Sequence, residues 1–560
     1  MPDFFIPKTE KELTENVHIV NFALELPSQI SQLVSDIQDI GGRSYLVGGS
    51  VRDSILSAKT GIDFQMKDFD FEVYGLDPVF LKQKLSEKYG KVEEVGESFG
   101  VFKIKLDGID EAIDIAIPRI DKVSEDSKKG RGIIANSDPY LDMVQAVKRR
   151  DITINSILYD PLSSQIIDPF GGWYDLMEGT IRVTDSETFI EDPLRVLRVA
   201  QFASRFGFKI SKETVDLSKK LCKEGGLNSL VIERVRDEID KLLLKGYEPS
   251  VGLRFLKEIG YLDILIPELS ILSNIPQEPD YHPEGDVFTH TMQVVDAMSD
   301  IVRRESKKSP MKTELKRALI LGALFHDLGK EPMTVTEENG RIRSHGHEEA
   351  GVPITREILK RIYKTKEQGG LMPYEKLILF LVSDHMKPLL LHKEHEKGTD
   401  MDKALRRFVN RCFENETTME QILMIVEADK LGRNSVNVYK PLSLEEKPEL
   451  LEALKWFKDV TESLRLEISD NSKNLLNVKK FLKLDICSGL RPGPWISIIN
   501  RCIQLDTVDG LIKNEDEAQE KAVFYFTKIF KDNSPKDLVD KSEYWLKFKV
   551  EDPRELLELD

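Results

Sequence analysis

Between Tyr45 and about Val183, short apolar runs alternate with polar positions at a period of two: YLVGG, KDFDFEVYG, VFKIKL, EAIDIAI, ITINSILYD and QIIDPFGG. That period predicts half-buried strands. A helix over VRDSILSA interrupts them, so the segment reads as a compact mixed α/β unit. Residues 1–40 ahead of it read as a helical lead-in. From Glu191 the period lengthens, and Leu194, Leu197, Val199, Phe202 and Phe206 form the apolar stripe of an amphipathic helix that stops at Gly207. Helical patterning then continues to the end of the chain. The proline-punctuated stretch NIPQEPDYHPEGD (274–286) marks a boundary within it. The expected organisation is multidomain, α/β followed by all-α. It comprises a lead-in (1–40), a mixed-sheet head (41–185), a helical neck (186–275), a histidine-bearing helical domain (276–435) and a helical C-terminal segment (436–560).

Composition narrows the class. With 560 residues, 40% hydrophobic and 32% charged, the chain exceeds one core and has no apolar run near membrane-spanning length. The segment MPDFFIPKTEKELTEN carries acids and lacks a basic-then-apolar signal pattern, so a cytoplasmic protein with no membrane partner is expected. Cys222, Cys412, Cys487 and Cys502 are scattered without a C-x-x-C pair, which favours reduced packing residues over a disulfide or zinc framework. A net charge of −17 argues against indiscriminate nucleic-acid binding. Local basic tracks remain at Lys148-Arg149-Arg150 and along Arg195, Arg198, Arg205 and Lys209.

The densest chemistry is Gly48-Gly49-Ser50-Val51-Arg52-Asp53 followed by Asp68-Phe69-Asp70. A glycine pair lets backbone N–H groups approach phosphate oxygens, and Arg52 adds a planar cation suited to phosphate. If KDFDFEV is a strand, Asp68 and Asp70 share one face, a poor core but a good seat for Mg²⁺. Asp114 in EAIDIAI is either a third such carboxylate or an ordinary solvent-facing strand acid. In KRRDITINSILYD, Arg149 and Arg150 suit a triphosphate, and Asp151 and Asn155 suit a ribose. Asp168, Gly171-Gly172 and Asp175 in DPFGGWYDL read as a structural turn. In EDPLRVLRVAQF, Asp192 and Arg195 stand three apart and are expected on one helix face.

GGSVRD, D-x-D, RRD-x-T-I-N, DP-x-GG-x-x-DL and EDPLR-x-LR, in this order over residues 44–208, resemble the head and neck of the class II tRNA nucleotidyltransferase/poly(A) polymerase family. The resemblance implies that Asp68 and Asp70 hold catalytic Mg²⁺. It also implies that Gly48, Gly49, Arg52, Arg150, Asp151, Asn155 and Arg198 bind the incoming nucleotide, and that Asp192 and Arg195 act as an amino-acid template. A carboxylate accepts from the exocyclic amine of cytosine or adenine, whereas uracil and guanine present a carbonyl there.

All but one of the nine histidines lie between His282 and His395. The His326-Asp327 pair follows the apolar run ALILGALF, with His290 before it and Asp429 after it. This pattern resembles the HD metal-dependent phosphohydrolase superfamily. The resemblance implies a metal set of His290, His326, Asp327 and Asp429, extended by His347 and His385, with His347 preferred to His345. Imidazole and carboxylate ligands suit a divalent transition metal or Mg²⁺ better than structural zinc.

The segment from Lys483, with its turn GLRPGP (489–494), resembles the C-terminal region that helps such enzymes hold tRNA. Basic and acidic residues nearly balance from Pro441 onward, unlike the basic tail expected of a nonspecific poly(A) polymerase. The leading expectation is therefore template-independent addition of CCA, or part of it, to tRNA from CTP and ATP, with an additional HD phosphohydrolase activity. The same motifs serve poly(A), CC-only and A-only addition. A rival of another class is an HD nucleotide phosphohydrolase with the head as a nucleotide- or RNA-binding module, and a third is an RNA-binding scaffold.

Overall fold

A computed structural model describes residues 17–61, 68–95, 100–123, 133–363, 373–435, 441–471, 475–487, 490, 493–531 and 552–558. The chain forms two compact units, residues 1–274 with 357–372, and residues 275–356 with 373–560.

In the first unit the chain opens with strand β1 (His18–Asn21) and helix α1 (Ser28–Asp39). The expected helical lead-in is thus corrected over the described part. HIVN is apolar at alternate positions, and it adds to the sheet edge by pairing His18 with Asp168 and Asn21 with Gln165. β2 (Arg43–Val47) leads into α2 (Gly49–Thr60), followed by β3 (Asp70–Tyr74), α3 (Pro78–Tyr89), β4 (Glu93–Val95), β5 (Val101–Ile104) and β6 (Ile113–Ala116). β7 (Arg119–Val123) and β8 (Ile133–Ser137) form a separate hairpin. After α4 (Met143–Lys148), β9 (Leu158–Asp160) and β10 (Gln165–Asp168) complete an eight-stranded mixed sheet in the order β1-β10-β9-β2-β3-β6-β5-β4. ITIN forms one 3-10 turn, Thr153–Asn155, so the strand expected from ITINSILYD is confined to its end.

Register builds the centre of this unit. β2 and β3 run antiparallel with Val47 opposite Asp70, so the chain leaves β2 into Gly48 beside that carboxylate. β6 runs parallel to β3 with Asp114 opposite Asp70. Asp68 precedes the strand, because β2 ends at Val47 and offers no partner further on. Strand β3 thus carries Asp70 and Glu72 on one face, while Asp68 stands just ahead of it, with buried Phe69 and Phe71 alternating with the two aspartates. The DPFGG segment is the structural turn foreseen: buried Asp168 accepts from the N–H groups of Gly172 and Trp173, both at 2.9 Å.

Helices continue with α5 (Gly172–Glu178), α6 (Ser186–Glu191), α7 (Leu194–Phe206), α8 (Lys212–Lys223), α9 (Ile232–Lys245) and α10 (Pro249–Glu258). α7 packs against α9 and α10, meeting α10 at Ala200 and Ser204, and ends where Gly207 turns left-handed.

The second unit is helical. Helix Val287–Lys308 packs on Thr313–Phe325 and Met419–Leu431, and Thr313–Phe325 also packs on Glu375–Asp384. A separate apolar cluster around Trp495, Tyr525 and Phe526 unites helices Pro494–Val508 and Glu515–Ile529. Much of the GLRPGP turn, including Gly489, Arg491 and Pro492, lies outside the described residues.

Candidate functional site

The first centre gathers at the start of β3. Gly48 adopts φ +76°, and a Cβ there would stand 3.6 Å from Asp70 Oδ2 and 3.8 Å from Arg150 Nη1. A glycine therefore keeps the mouth between carboxylate and guanidinium open. Burial pushes the Asp70 carboxyl above its ordinary range, and the carboxylates of Asp114 and Asp68 add to this while Arg150 and Lys103 oppose it. Negative charge from Asp114 and Asp68 thus crowds Asp70, a crowding that a divalent cation would relieve. Lys103 lies 2.8 Å from Asp114 and supplies partial compensation.

Around this centre the remaining groups of the unit are mutually fixed. Arg52 is buried. It donates to Asp53 at 2.8 Å and to Asn155 Oδ1 at 2.5 Å, and lies over the rings of Phe202 and Phe206 at 5.2 and 5.1 Å. Asn155 in turn donates to Asp151 at 3.0 Å, and Arg198 donates to Asp151 at 2.6 Å. Burial alone would raise the Asp151 carboxyl. The Arg198 guanidinium, the Asn155 amide and the Ile152 N–H outweigh it and hold the group below its usual range. Arg52, Asn155, Asp151 and Arg198 thus form one continuous bonded row. Arg149, expected at a triphosphate, instead turns to Glu72 at 2.8 Å.

Asp192 and Arg195 do not share a helix face. Asp192 closes α6 and α7 begins only after Pro193, so the acid lies on the connecting segment. Its Oδ1 accepts from Leu194 N–H at 3.1 Å and its Oδ2 lies 3.6 Å from Arg234. Arg195 is buried and donates to the carbonyls of Thr188 and Arg149, the latter at 2.7 Å. Two of its five N–H donors are thereby used, and the guanidinium plane is fixed.

The second centre is built from residues of helices Val287–Lys308, His347–Tyr363 and Met419–Leu431 and of the turns that follow Thr313–Phe325 and Glu375–Asp384. His326 and His385 each point Nδ1 at the carbonyl three residues earlier, Ala323 at 2.8 Å and Val382 at 2.9 Å, and His347 does the same with Ser344 at 2.8 Å. Donation from Nδ1 leaves the Nε2 lone pair free for a metal. The Nε2 atoms of His326 and His347 are buried, have no hydrogen-bond partner among the described residues, and face Asp327 at 3.1 and 3.2 Å. His385 Nε2 stands 3.9 Å from Asp327, and burial, with His326 and His347 nearby, pushes its pKa down to about 3. His290 Nε2 lies 3.0 Å from Asp429 and 3.6 Å from Asp327. His345 is exposed and stands apart. All six expected residues therefore converge, and orphaned imidazole nitrogens beside carboxylates fit a divalent cation.

Gly329 makes this convergence possible. A Cβ there would fall 1.9 Å from the carbonyl of His347, so only glycine lets the turn after Asp327 lie against the start of helix His347–Tyr363.

Sequence reasoning missed several partners. Glu284, fully buried, accepts from His282 Nδ1 at 2.8 Å and His290 Nδ1 at 2.7 Å, and these bonds outweigh burial to draw its carboxyl down to about 2. Its segment, taken as a boundary, is thus part of the centre. Lys330 lies 2.7 Å from Asp327 and donates to Gln277 at 2.7 Å, and Arg433 donates to Asp429 at 2.7 Å. Both were findable, because they follow the acids at helical spacings of three and four.

Residues 44–182 match the poly A polymerase head domain, 207–272 the probable RNA and SrmB-binding site of polymerase A, and 287–412 the HD domain. A multifunctional CCA protein of Xylella fastidiosa (strain M12) is 33% identical over 398 residues, spanning 70% of this chain and 84% of that one. One from Pasteurella multocida (strain Pm70) is 37% identical over 320 residues, spanning 57% and 69%. Among solved structures, the Bacillus stearothermophilus CCA-adding enzyme in complex with CTP aligns with a TM-score of 0.54 at 19% identity, covering 89% of this chain and 96% of that one. The Thermotoga maritima CCA-adding enzyme complexed with tRNA aligns with a TM-score of 0.50 at 19% identity over 89% and 96%. At that identity the structures speak to the fold.

Proposed function

Because the chain belongs to the CCA-adding tRNA nucleotidyltransferase/poly(A) polymerase family, we propose that it adds CCA, or part of it, to tRNA 3′ ends from CTP and ATP. The observation that carries the reading is the placing of Gly48, Asp70 and Arg150 together where β2 leaves the sheet. In this account residues 41–185 form the catalytic head, 186–275 the neck, 276–435 the HD domain and 436–560 an RNA-binding segment.

Asp68 and Asp70 hold Mg²⁺, which when bound lowers the charge penalty of in-line displacement at the α-phosphate. The tRNA 3′-hydroxyl oxygen attacks that phosphorus and pyrophosphate leaves. Gly48 and Gly49 leave room for the triphosphate, Arg150 neutralises it, and the row Arg52, Asn155, Asp151 and Arg198 sets the wall against which the sugar rests. Asp192 accepts from the amine of cytosine or adenine, and Arg195 donates to a ring acceptor. The test uses tRNA lacking its terminal CCA with CTP, ATP or both, followed by sequencing of the products. CCA ends only with both nucleotides support the reading; a long A tail on unrelated RNA contradicts it in favour of poly(A) polymerase.

A second activity is proposed for the HD centre, supported by the buried, unpartnered Nε2 atoms of His326 and His347. His290, His326, Asp327 and Asp429, with His347 and His385, hold a divalent transition metal or Mg²⁺, which when bound supplies Lewis acidity toward a phosphoester. Lys330 and Arg433 offset the carboxylate charge. Hydrolysis of 2′,3′-cyclic nucleotides by the wild type, lost in His326→Ala, is the expected result; equal activity in both contradicts it.

A further inference from the structure

Glu72 is a fully buried carboxylate that phosphoryl transfer itself does not use. It stands two residues after Asp70 on β3, on the same strand face. Its Oε1 accepts from Arg149 Nη2 at 2.8 Å and lies 3.5 Å from Arg150 Nη2, while Oε2 accepts from Tyr74 at 3.1 Å. Burial alone would raise this carboxyl, but the two guanidiniums and the tyrosine hold it below its ordinary range.

Arg149 and Arg150 are neighbours in sequence at the end of α4, and two adjacent cations do not hold one arrangement unaided. A buried ion pair is weak evidence for stability, since apolar replacements often serve as well; its surer contribution is a single geometry. Here that geometry reaches two ends of the nucleotide site. Arg150 is kept beside Gly48 and Asp70. Arg149, anchored by its side chain, presents its backbone carbonyl to Arg195 Nη2 at 2.7 Å.

We propose that Glu72 is the positioning residue of the nucleotide site, holding Arg150 for the triphosphate and, through the main chain of Arg149, fixing Arg195 for the base. This rests on the reading that Arg150 and Arg195 meet the incoming nucleotide. One buried carboxylate thereby couples phosphate binding in the head to base choice at the start of the neck.

The test measures steady-state addition by the full chain to tRNA lacking CCA, with CTP and ATP varied separately and UTP as the wrong nucleotide. Glu72→Gln is expected to raise KM for CTP and ATP about 10-fold, the scale of a lost charged hydrogen bond, with kcat changed far less. UTP incorporation relative to CTP should rise, and Glu72→Asp should restore part of both effects. Wild-type KM and fidelity in a folded Glu72→Gln overturn the inference, as does a fall in kcat alone. If Glu72→Gln does not fold, Arg149→Met leaves Glu72 paired with Arg150 and should still raise UTP incorporation; unchanged fidelity there also overturns it. Arg150→Ala separates the premises. Unchanged KM in that variant contradicts the underlying reading of the site, whereas raised KM there with none in Glu72→Gln contradicts the positioning role alone.

Discussion

Individual side chains in both centres are fixed by partners rather than left free. His290 differs from the other histidines of the second centre because a carboxylate, Glu284, lies 2.7 Å from its Nδ1, closer than the Gly432 carbonyl at 3.3 Å, whereas the others rely on a main-chain carbonyl alone. An outer carboxylate of this kind sets the ring's tautomer and orientation. Glu284→Gln is expected to weaken divalent metal binding about 10- to 100-fold while leaving the secondary structure intact; equilibrium dialysis with Mn²⁺ checks it. Asp151 allows a prediction in pH. Its folded carboxyl is held below the ordinary value, so its stabilisation is complete above an unfolded pKa of about 3.9 and is lost as pH falls from there through the depressed folded value. Asp151→Asn should therefore flatten the acid limb of the stability–pH profile, measured by thermal denaturation from about pH 6 down to about pH 2.

At the scale of elements, periodicity made the strands legible and marked α7 as a helix, although α7 is buried on nearly every side from Leu194 to Ser204. The glycine pair and Asp70 were legible as chemistry because the antiparallel partner of β3 ends at Val47, just before Gly48. The strand starts at Asp70 rather than Asp68 because strand length depends on where a neighbour stops, which local pattern does not record. Asp192 left the helix expected to carry it with Arg195 because proline disfavours helical conformation in the residue before it, and Asp192 stands extended at φ −122° and ψ 97°. The segment around Glu284 looked like a linker because proline and glycine report local bends, whereas the contact with His290 is made through space. Turn chemistry also has a direct consequence. Gly329→Ala places a methyl 1.9 Å from the His347 carbonyl, and overpacking of that kind costs about 1–3 kcal/mol. The variant should lose phosphodiesterase activity and melt at a lower temperature, as read by activity assay and calorimetry.

At the scale of the whole molecule, the residues of the nucleotidyl-transfer centre belong to one compact unit and those of the HD centre to the other. Each centre has its own acids and its own compensating cations, Arg150 and Lys103 in one, Lys330 and Arg433 in the other. His326→Ala is accordingly expected to abolish cyclic-nucleotide hydrolysis while nucleotide addition stays within about 2-fold of wild type, the behaviour of sites that share no partners; parallel assays on one preparation check it. With a net charge of −17, any RNA contact that the proposed activity requires falls to local basic surface rather than to a global field. Among the described residues no helix is long and apolar enough to cross a membrane.

The central claim is that the carboxylates beside Gly48 and Gly49 carry nucleotide transfer to RNA. The most direct test incubates wild type and Asp70→Ala with tRNA lacking its CCA end and α-labelled CTP plus ATP, then resolves the RNA at single-nucleotide length. Three-nucleotide extension by the wild type, with none by a variant of unchanged circular dichroism, is the predicted result. Substantial extension by folded Asp70→Ala would contradict the account.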